Sequence, residues 1–224
     1  MRHRVVKGAA GALISFAVGV AVTGCGGGEK ASSPPSAAPR GATVSVAVLP
    51  TTLDPARASS VAERAIAVAT QTPLLTYRRT TGDQAATLEP ALAGDLPKLS
   101  SDDREYRFQL RSGLVYADGR LVKASDIERA IAHASVASTD PALRAVLGSI
   151  VGAPSKDGQS LPGVRSDDRT GVVLVQLRRP DGRLPLALAD PATAPMPELP
   201  AKGKVPASTG PLRVASITAC ESVA

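Results

Sequence analysis

A mixed α/β domain, irregular in its order and so closer to α+β than to a wound βα fold, is the class this sequence predicts. Three observations predict it. Residues 105–111 alternate, with Tyr106, Phe108 and Leu110 on one side and Arg107, Gln109 and Arg111 on the other, as a half-buried strand requires. Val172–Leu177 is a second short run rich in β-branched residues. Between them Ser125-Asp126-Ile127-Glu128 has the form of a capping box, with Ser125 as N-cap, and predicts a helix from Asp126 to about Val136.

The other elements follow in chain order. Thr43–Leu49 places Val44, Val46 and Val48 on one side and reads as a strand ended by Pro50. Ser60–Thr70 is Ala-rich, stops short of Pro73 and reads as a helix. Leu88–Ala93 reads as a loop or a single turn, Asp118-Gly119 as a turn, and Gly182–Ala189 as room for a short helix. With 20 Gly and 19 Pro in 224 residues, elements should be short and turns frequent. Aromatic residues are 2% and Trp is absent, so the core must be built from Ala, Val, Leu and Ile.

The amino terminus reads as an export signal. Met1–Lys7 is basic, and residues 8–22 are apolar but interrupted by Gly and shorter than the roughly 20 residues a spanning helix needs. Val22-Thr23-Gly24-Cys25 resembles the lipobox of bacterial lipoproteins, which implies lipidation of Cys25 and cleavage before it. Residues 1–24 are then a signal peptide, and residues 25–41 a Gly/Ser/Pro-rich tether. A diacylglycerol supplies the two chains that stable anchoring takes. The expected location is the extracytoplasmic face of a cell membrane.

Loss of Arg2, Arg4 and Lys7 with the leader lowers the formal charge from +6 to +3. The remaining charges are scattered and no basic run is interleaved with aromatics, which argues against a nucleic-acid partner. Cys220, with Cys25 lipidated, has no partner for an internal disulfide. Catalytic constellations are equally hard to assemble. His3 lies in the leader, His133 reads as a helix-surface residue, and HExxH, CxxC, Walker A and GxSxG patterns do not occur. Asp102-Asp103 and Asp167-Asp168 read as turn residues beside Ser and Arg rather than as metal ligands. The expectation is a protein that is not an enzyme and needs no cofactor or metal.

Taken in order, several short motifs resemble one family. They are Leu53-Asp54-Pro55, Pro73-Leu74-Leu75-Thr76-Tyr77, Glu89-Pro90-Ala91-Leu92-Ala93, a block from Ser101 to Ile127, and Ser208-Thr209-Gly210-Pro211-Leu212. The block carries Asp102-Asp103, Tyr106, Phe108, Leu110-Arg111, Gly113, Asp118-Gly119 and Ala124 with Asp126-Ile127. In this spacing they resemble the extracellular solute-binding proteins, family 5, of peptide-type ABC transporters, which include oligopeptide, dipeptide and nickel binders. The resemblance implies a periplasmic-binding-protein-like type II fold with two lobes and a cleft. It implies a peptide or small-molecule ligand and ABC permease subunits as partners. It also implies that Pro50, Thr51, Thr52 and Leu53 lie nearest the ligand, and that Ser208, Thr209, Gly210 and Pro211 form a hinge-like loop. Family members are much longer. Residues 42–215 are therefore expected to form a first lobe, truncated before the second is completed, with 216–224 an unassigned tail. A single wall should hold peptide weakly. The alternative expectation is a non-transporting surface lipoprotein, a remnant serving as a structural or interaction module.

Overall fold

The computed structural model describes residues 50–201 and 204–214. The leader, the tether, Cys25, the strand expected at Thr43–Leu49 and the tail lie outside the described residues. After a 3-10 turn at Pro55–Arg57 come α1 (Val61–Thr70), β1 (Leu75–Tyr77), β2 (Leu88–Pro90), β3 (Lys98–Leu99) and β4 (Glu105–Gln109). Then follow α2 (Ala124–Ala137), α3 (Pro141–Leu147), β5 (Val164–Asp167), β6 (Val172–Gln176), α4 (Leu184–Ala187) and a closing 3-10 turn at Pro191–Thr193.

Alternation decides the main sheet. Its order is β3-β4-β6-β5 and its pairings are all antiparallel. Tyr106 and Phe108 of β4 stand opposite Val175 and Val173 of β6, and Val175 in turn faces Val164 of β5. These residues are buried and point to the same face, because side chains on a strand repeat every second residue. Helix α2 covers that face with Ile127 and Ile131, and α3 packs against α2 with Leu143 and Leu147 in the same core. Full burial of side chains of this size contributes roughly 1.5–3 kcal/mol each. The opposite face carries Lys98, Arg107 and Arg165 in one row across the strands, with Leu174 between the two arginines. A second, two-stranded sheet pairs β1 with β2.

The core is aliphatic, as composition predicts, and its only aromatic members among the described residues are Tyr106, Phe108 and Tyr116. Tyr116 is placed by a polar contact as well as by packing. Its hydroxyl donates to Asp126 Oδ2 at 2.9 Å, deep in the protein. Burial, with the Asp126 carboxylate beside it, pushes the phenol far above its ordinary range. Asp126 also accepts from the Lys123 backbone N–H at 3.0 Å and from Arg129 at 3.0 Å.

That arrangement corrects the expected start of α2. Ser125 is not the N-cap. The helix begins at Ala124, Lys123 occupies the cap position, and Asp126 at the third helical position satisfies the cap's N–H. Ser125 instead gives both its N–H (2.8 Å) and its hydroxyl (2.9 Å) to Asp168, from the turn between β5 and β6. Asp168 is thus a tertiary tie, whereas Asp167 does serve its turn by accepting from Arg169 and Thr170 N–H groups. A second correction concerns Leu88–Ala93. Leu88–Pro90 is a strand, because Tyr77, Thr76 and Leu75 supply the ladder it cannot make alone. The turn at Asp118-Gly119 forms as expected, with Gly119 at φ +86°, a conformation that favours glycine.

Candidate functional site

The two segments that the resemblance singles out are each fastened to α1, and at opposite ends of it. At the amino-terminal end Ser60 caps the helix and forms a capping box with Glu63. Glu63 is 4% exposed, and its carboxylate does more than cap. Oε1 accepts from Thr51 N–H (2.8 Å), Thr51 Oγ1 (2.8 Å) and Thr52 N–H (3.2 Å). Oε2 accepts from Ser59 N–H (2.9 Å), Ser59 Oγ (3.3 Å) and Ser60 N–H (3.0 Å). Burial opposes the charge, but the N–H groups of Ser60 and Ser59 and the hydroxyl and N–H of Thr51 outweigh it, so the carboxyl is held well below its usual 4.5. Pro50–Leu53 is therefore a loop pinned by its own backbone N–H groups rather than a free strand end.

At the carboxy-terminal end, Ser208–Leu212 docks on the last turn of α1 and the residues after it. Gly210 N–H donates to Thr70 O at 2.8 Å and Leu212 N–H to Ala69 O at 3.2 Å. Thr209 Oγ1 accepts from Thr72 N–H at 2.9 Å. Ser208 Oγ lies 2.5 Å from Thr70 O and 2.7 Å from Leu212 O. These contacts satisfy carbonyls that the helix end leaves open. A Cβ on Gly210 would stand 2.5 Å from Thr70 C, so only glycine fits this approach. Pro211 follows on the exposed side. A helix of 10 residues separates the two segments by about 15 Å along its axis. The structure does not bring residues 50–53 and 208–211 into one site.

The loop after residue 53 leads to a group that sequence reasoning missed. Asp54 is 7% exposed and caps the turn Pro55–Arg57 through Ala56 N–H. Its other oxygen lies 2.9 Å from Nε2 of His133, which is 2% exposed on α2. Nδ1 of His133 lies 2.8 Å from Oδ1 of Asp157. His133 is thus a buried member of a charge cluster and not a helix-surface residue, which corrects the expectation from sequence. Nothing local could have shown this, because its partners are 79 and 24 residues away. The Glu63 staple, by contrast, was signalled by Ser60-Val61-Ala62-Glu63, a capping box in plain sight.

Open depressions among the described residues lie elsewhere, one along Gly152–Ser155 and Ser160, another beside Arg178 and Arg179. Among these residues no group of three or more His, Cys, Asp or Glu is arranged to hold a metal ion. No described helix is long and apolar enough to cross a membrane.

An antiparallel sheet covered by helices on one face, with a second small sheet beside it, matches part of the type II periplasmic-binding-protein fold. Clavulanic acid biosynthesis oligopeptide binding protein 2 superposes with a TM-score of 0.61 at 24% identity, over 74% of this chain and 32% of that one. The Escherichia coli murein tripeptide binding protein MppA gives 0.54 at 26%, over 66% and 28%. Haemophilus influenzae OppA, in complex with the peptide RPPGFSPFR, gives 0.55 at 21%, over 66% and 29%. The chain spans about a third of the length of these solved structures. Its sequence matches the family described as bacterial extracellular solute-binding proteins, family 5 Middle, over residues 87–224, and the chain belongs to that family. No curated protein sequence matches it.

Proposed function

We propose that this chain is the extracytoplasmic ligand-capturing component of an ABC importer, with a peptide as ligand. In this reading Cys25 carries the lipid, residues 26–41 are the tether, and the domain hands its ligand to permease subunits in the same membrane. Family membership over residues 87–224 carries the reading, and the lipobox ahead of it supports the location. The three structural relatives, an oligopeptide binding protein, a murein tripeptide binding protein and OppA in complex with a peptide, support the ligand class.

Two measurements test it. Replacing Cys25→Ala should move the protein out of the membrane fraction, and an unchanged fraction would exclude lipid anchoring. A peptide mixture at about 1 mM should raise the melting temperature, because a ligand that binds only the folded state shifts its apparent stability.

A second reading, a surface lipoprotein that serves as an interaction module without capturing solute, is favoured by one observation. The loops at 50–53 and 208–211 stand at opposite ends of α1, so neither completes the other's surface. A melt unmoved by peptide, with the protein still in the membrane fraction, would favour that reading.

A further inference from the structure

The His133 cluster is an arrangement whose geometry fixes a protonation state. Each ring nitrogen is within hydrogen-bond distance of a carboxylate oxygen, 2.9 Å for Asp54 and 2.8 Å for Asp157. A neutral imidazole has one N–H and one bare nitrogen, so it can satisfy one of these acceptors and must repel the other. Both carboxylates are engaged as anions. Asp54 accepts from Ala56 N–H at 3.0 Å, and Asp157 from Gly158 N–H at 3.0 Å. Arg57 approaches both, at 3.2 Å to Asp54 and 3.7 Å to Asp157. Two acceptors on one ring require two N–H donors, which is the imidazolium. Two carboxylates, one guanidinium and one imidazolium then balance in charge. Both ring nitrogens are occupied, so no lone pair is left for a metal.

We propose that His133 is a buried imidazolium latch that holds the Asp54 loop and the Asp157 loop together on α2, and that loss of its proton releases one of the two loops. The latch joins three parts of the chain: the turn that continues Pro50–Leu53, the long loop from Val151 to Gly163, and the helix between them. When the proton leaves, one carboxylate faces a bare nitrogen in a buried place. That carboxylate belongs to Asp157, whose side chain is 33% exposed and can turn to water, whereas Asp54 at 7% cannot.

Other charges near α2 are spoken for. Asp126 and Arg129 on the helix itself pair with each other, and Glu128 accepts from Ser166 of β5. Arg165 of β5 pairs with Glu105 of β4. Asp190, ahead of the turn that packs on α2, is held above its ordinary value by burial and feels Arg64 and Asp140 rather than the ring. Burial by itself would push His133 down, but the hydrogen bonds and charges of Asp54 and Asp157 outweigh it and raise it above 6.5. The latch is therefore intact below 6.5 and weakens as pH rises through the raised value.

The test is nitrogen-15 NMR of the full chain labelled at histidine. The chain contains His3 and His133 only, and His3→Gln assigns the signals without touching the described fold. Expected are two protonated ring nitrogens on His133 at pH 5.5 and a titration midpoint above 6.5. Above that midpoint the Gly158 amide should exchange faster while Ala56 stays protected. In Asp157→Asn the midpoint should fall back toward 6.5. A ring with a bare nitrogen at pH 5.5, a midpoint at or below 6.5, or a midpoint unmoved in Asp157→Asn would each overturn the latch. The first two are read on the native fold, so they stand even where a variant folds poorly.

Discussion

Glu63 and Asp54 are carboxylates nine residues apart, both buried, both holding the same short stretch of chain, and they are stabilised by opposite means. Among the described residues Glu63 has no cation in contact. Its charge is met by six neutral donors, four backbone N–H groups and two hydroxyls. Asp54 is met by one backbone N–H, the His133 ring and Arg57. Neutral donors on the main chain cannot titrate, so the Glu63 staple fails only when the carboxylate itself takes a proton. The Asp54 anchor depends on a ring that can lose one. The loop at residues 51–57 is consequently gripped by two anchors whose pH limits lie apart, below 4.5 for Glu63 and above 6.5 for His133.

The largest effect should come from removing the staple. Glu63→Ala leaves six donors without their acceptor and should lower stability by about 3 kcal/mol, read by denaturant unfolding. A loss below about 1 kcal/mol would mean that water replaces the carboxylate. His133→Ala should cost somewhat less, about 2 kcal/mol, because Asp157 can reach solvent although Asp54 cannot. The two anchors separate most sharply in pH. Glu63 is held below 4.5 in the folded state, so its contribution is present above about 4.5 and lost as pH falls through the lowered value. That of His133 is present below 6.5 and lost as pH rises through the raised value. Melting temperature should fall at both extremes. Glu63→Gln should flatten the acid limb alone and His133→Gln the alkaline limb alone, and a variant that flattened both would break the distinction.

Smaller effects are expected away from the loop. Gly210→Ala should cost about 1–2 kcal/mol, because the new Cβ meets the Thr70 backbone at 2.5 Å and the docked segment must shift. Ser125→Ala should cost only about 0.5 kcal/mol, since the hydroxyl lost is an exposed tie to Asp168 and not a helix cap. A double-mutant cycle with Asp168→Ala checks this. Additive losses would show that the tie contributes nothing.

Much of the sheet was legible because a one-face-buried strand writes its burial into every second residue, as Tyr106, Phe108 and Leu110 do. β5, reading Val164-Arg165-Ser166-Asp167, has no such pattern, and its strand form comes from pairing with β6. β2 was missed for the same reason: three residues ending in proline show no period, and β1 supplies the ladder. α3 carried a local signal in Asp140-Pro141, where the aspartate caps and proline takes the first helical position, but seven residues are too few for apolar periodicity. At the start of α2 both Ser125 and Asp126 suit a helix terminus, and the placement was decided by Tyr116 and Lys123, 10 and 3 residues before, converging on Asp126. The motifs of the solute-binding family were readable as text. That Ser208–Leu212 docks at the end of α1 was not, because its partners there are up to 138 residues apart from it.

That last distance has a consequence for the order in which the chain folds. The contacts of Ser208, Thr209 and Gln71 across α1 close loops of 136–138 residues. The β4–β6 and β5–β6 ladders close far shorter ones and bury more apolar surface as they form. Closing a long loop costs chain entropy that a few hydrogen bonds scarcely offset until the rest is in place. The Ser208–Leu212 segment should therefore join last in refolding and leave first in unfolding. In pulsed hydrogen exchange the amides of Gly210 and Thr72 should gain protection after those of Phe108 and Val173.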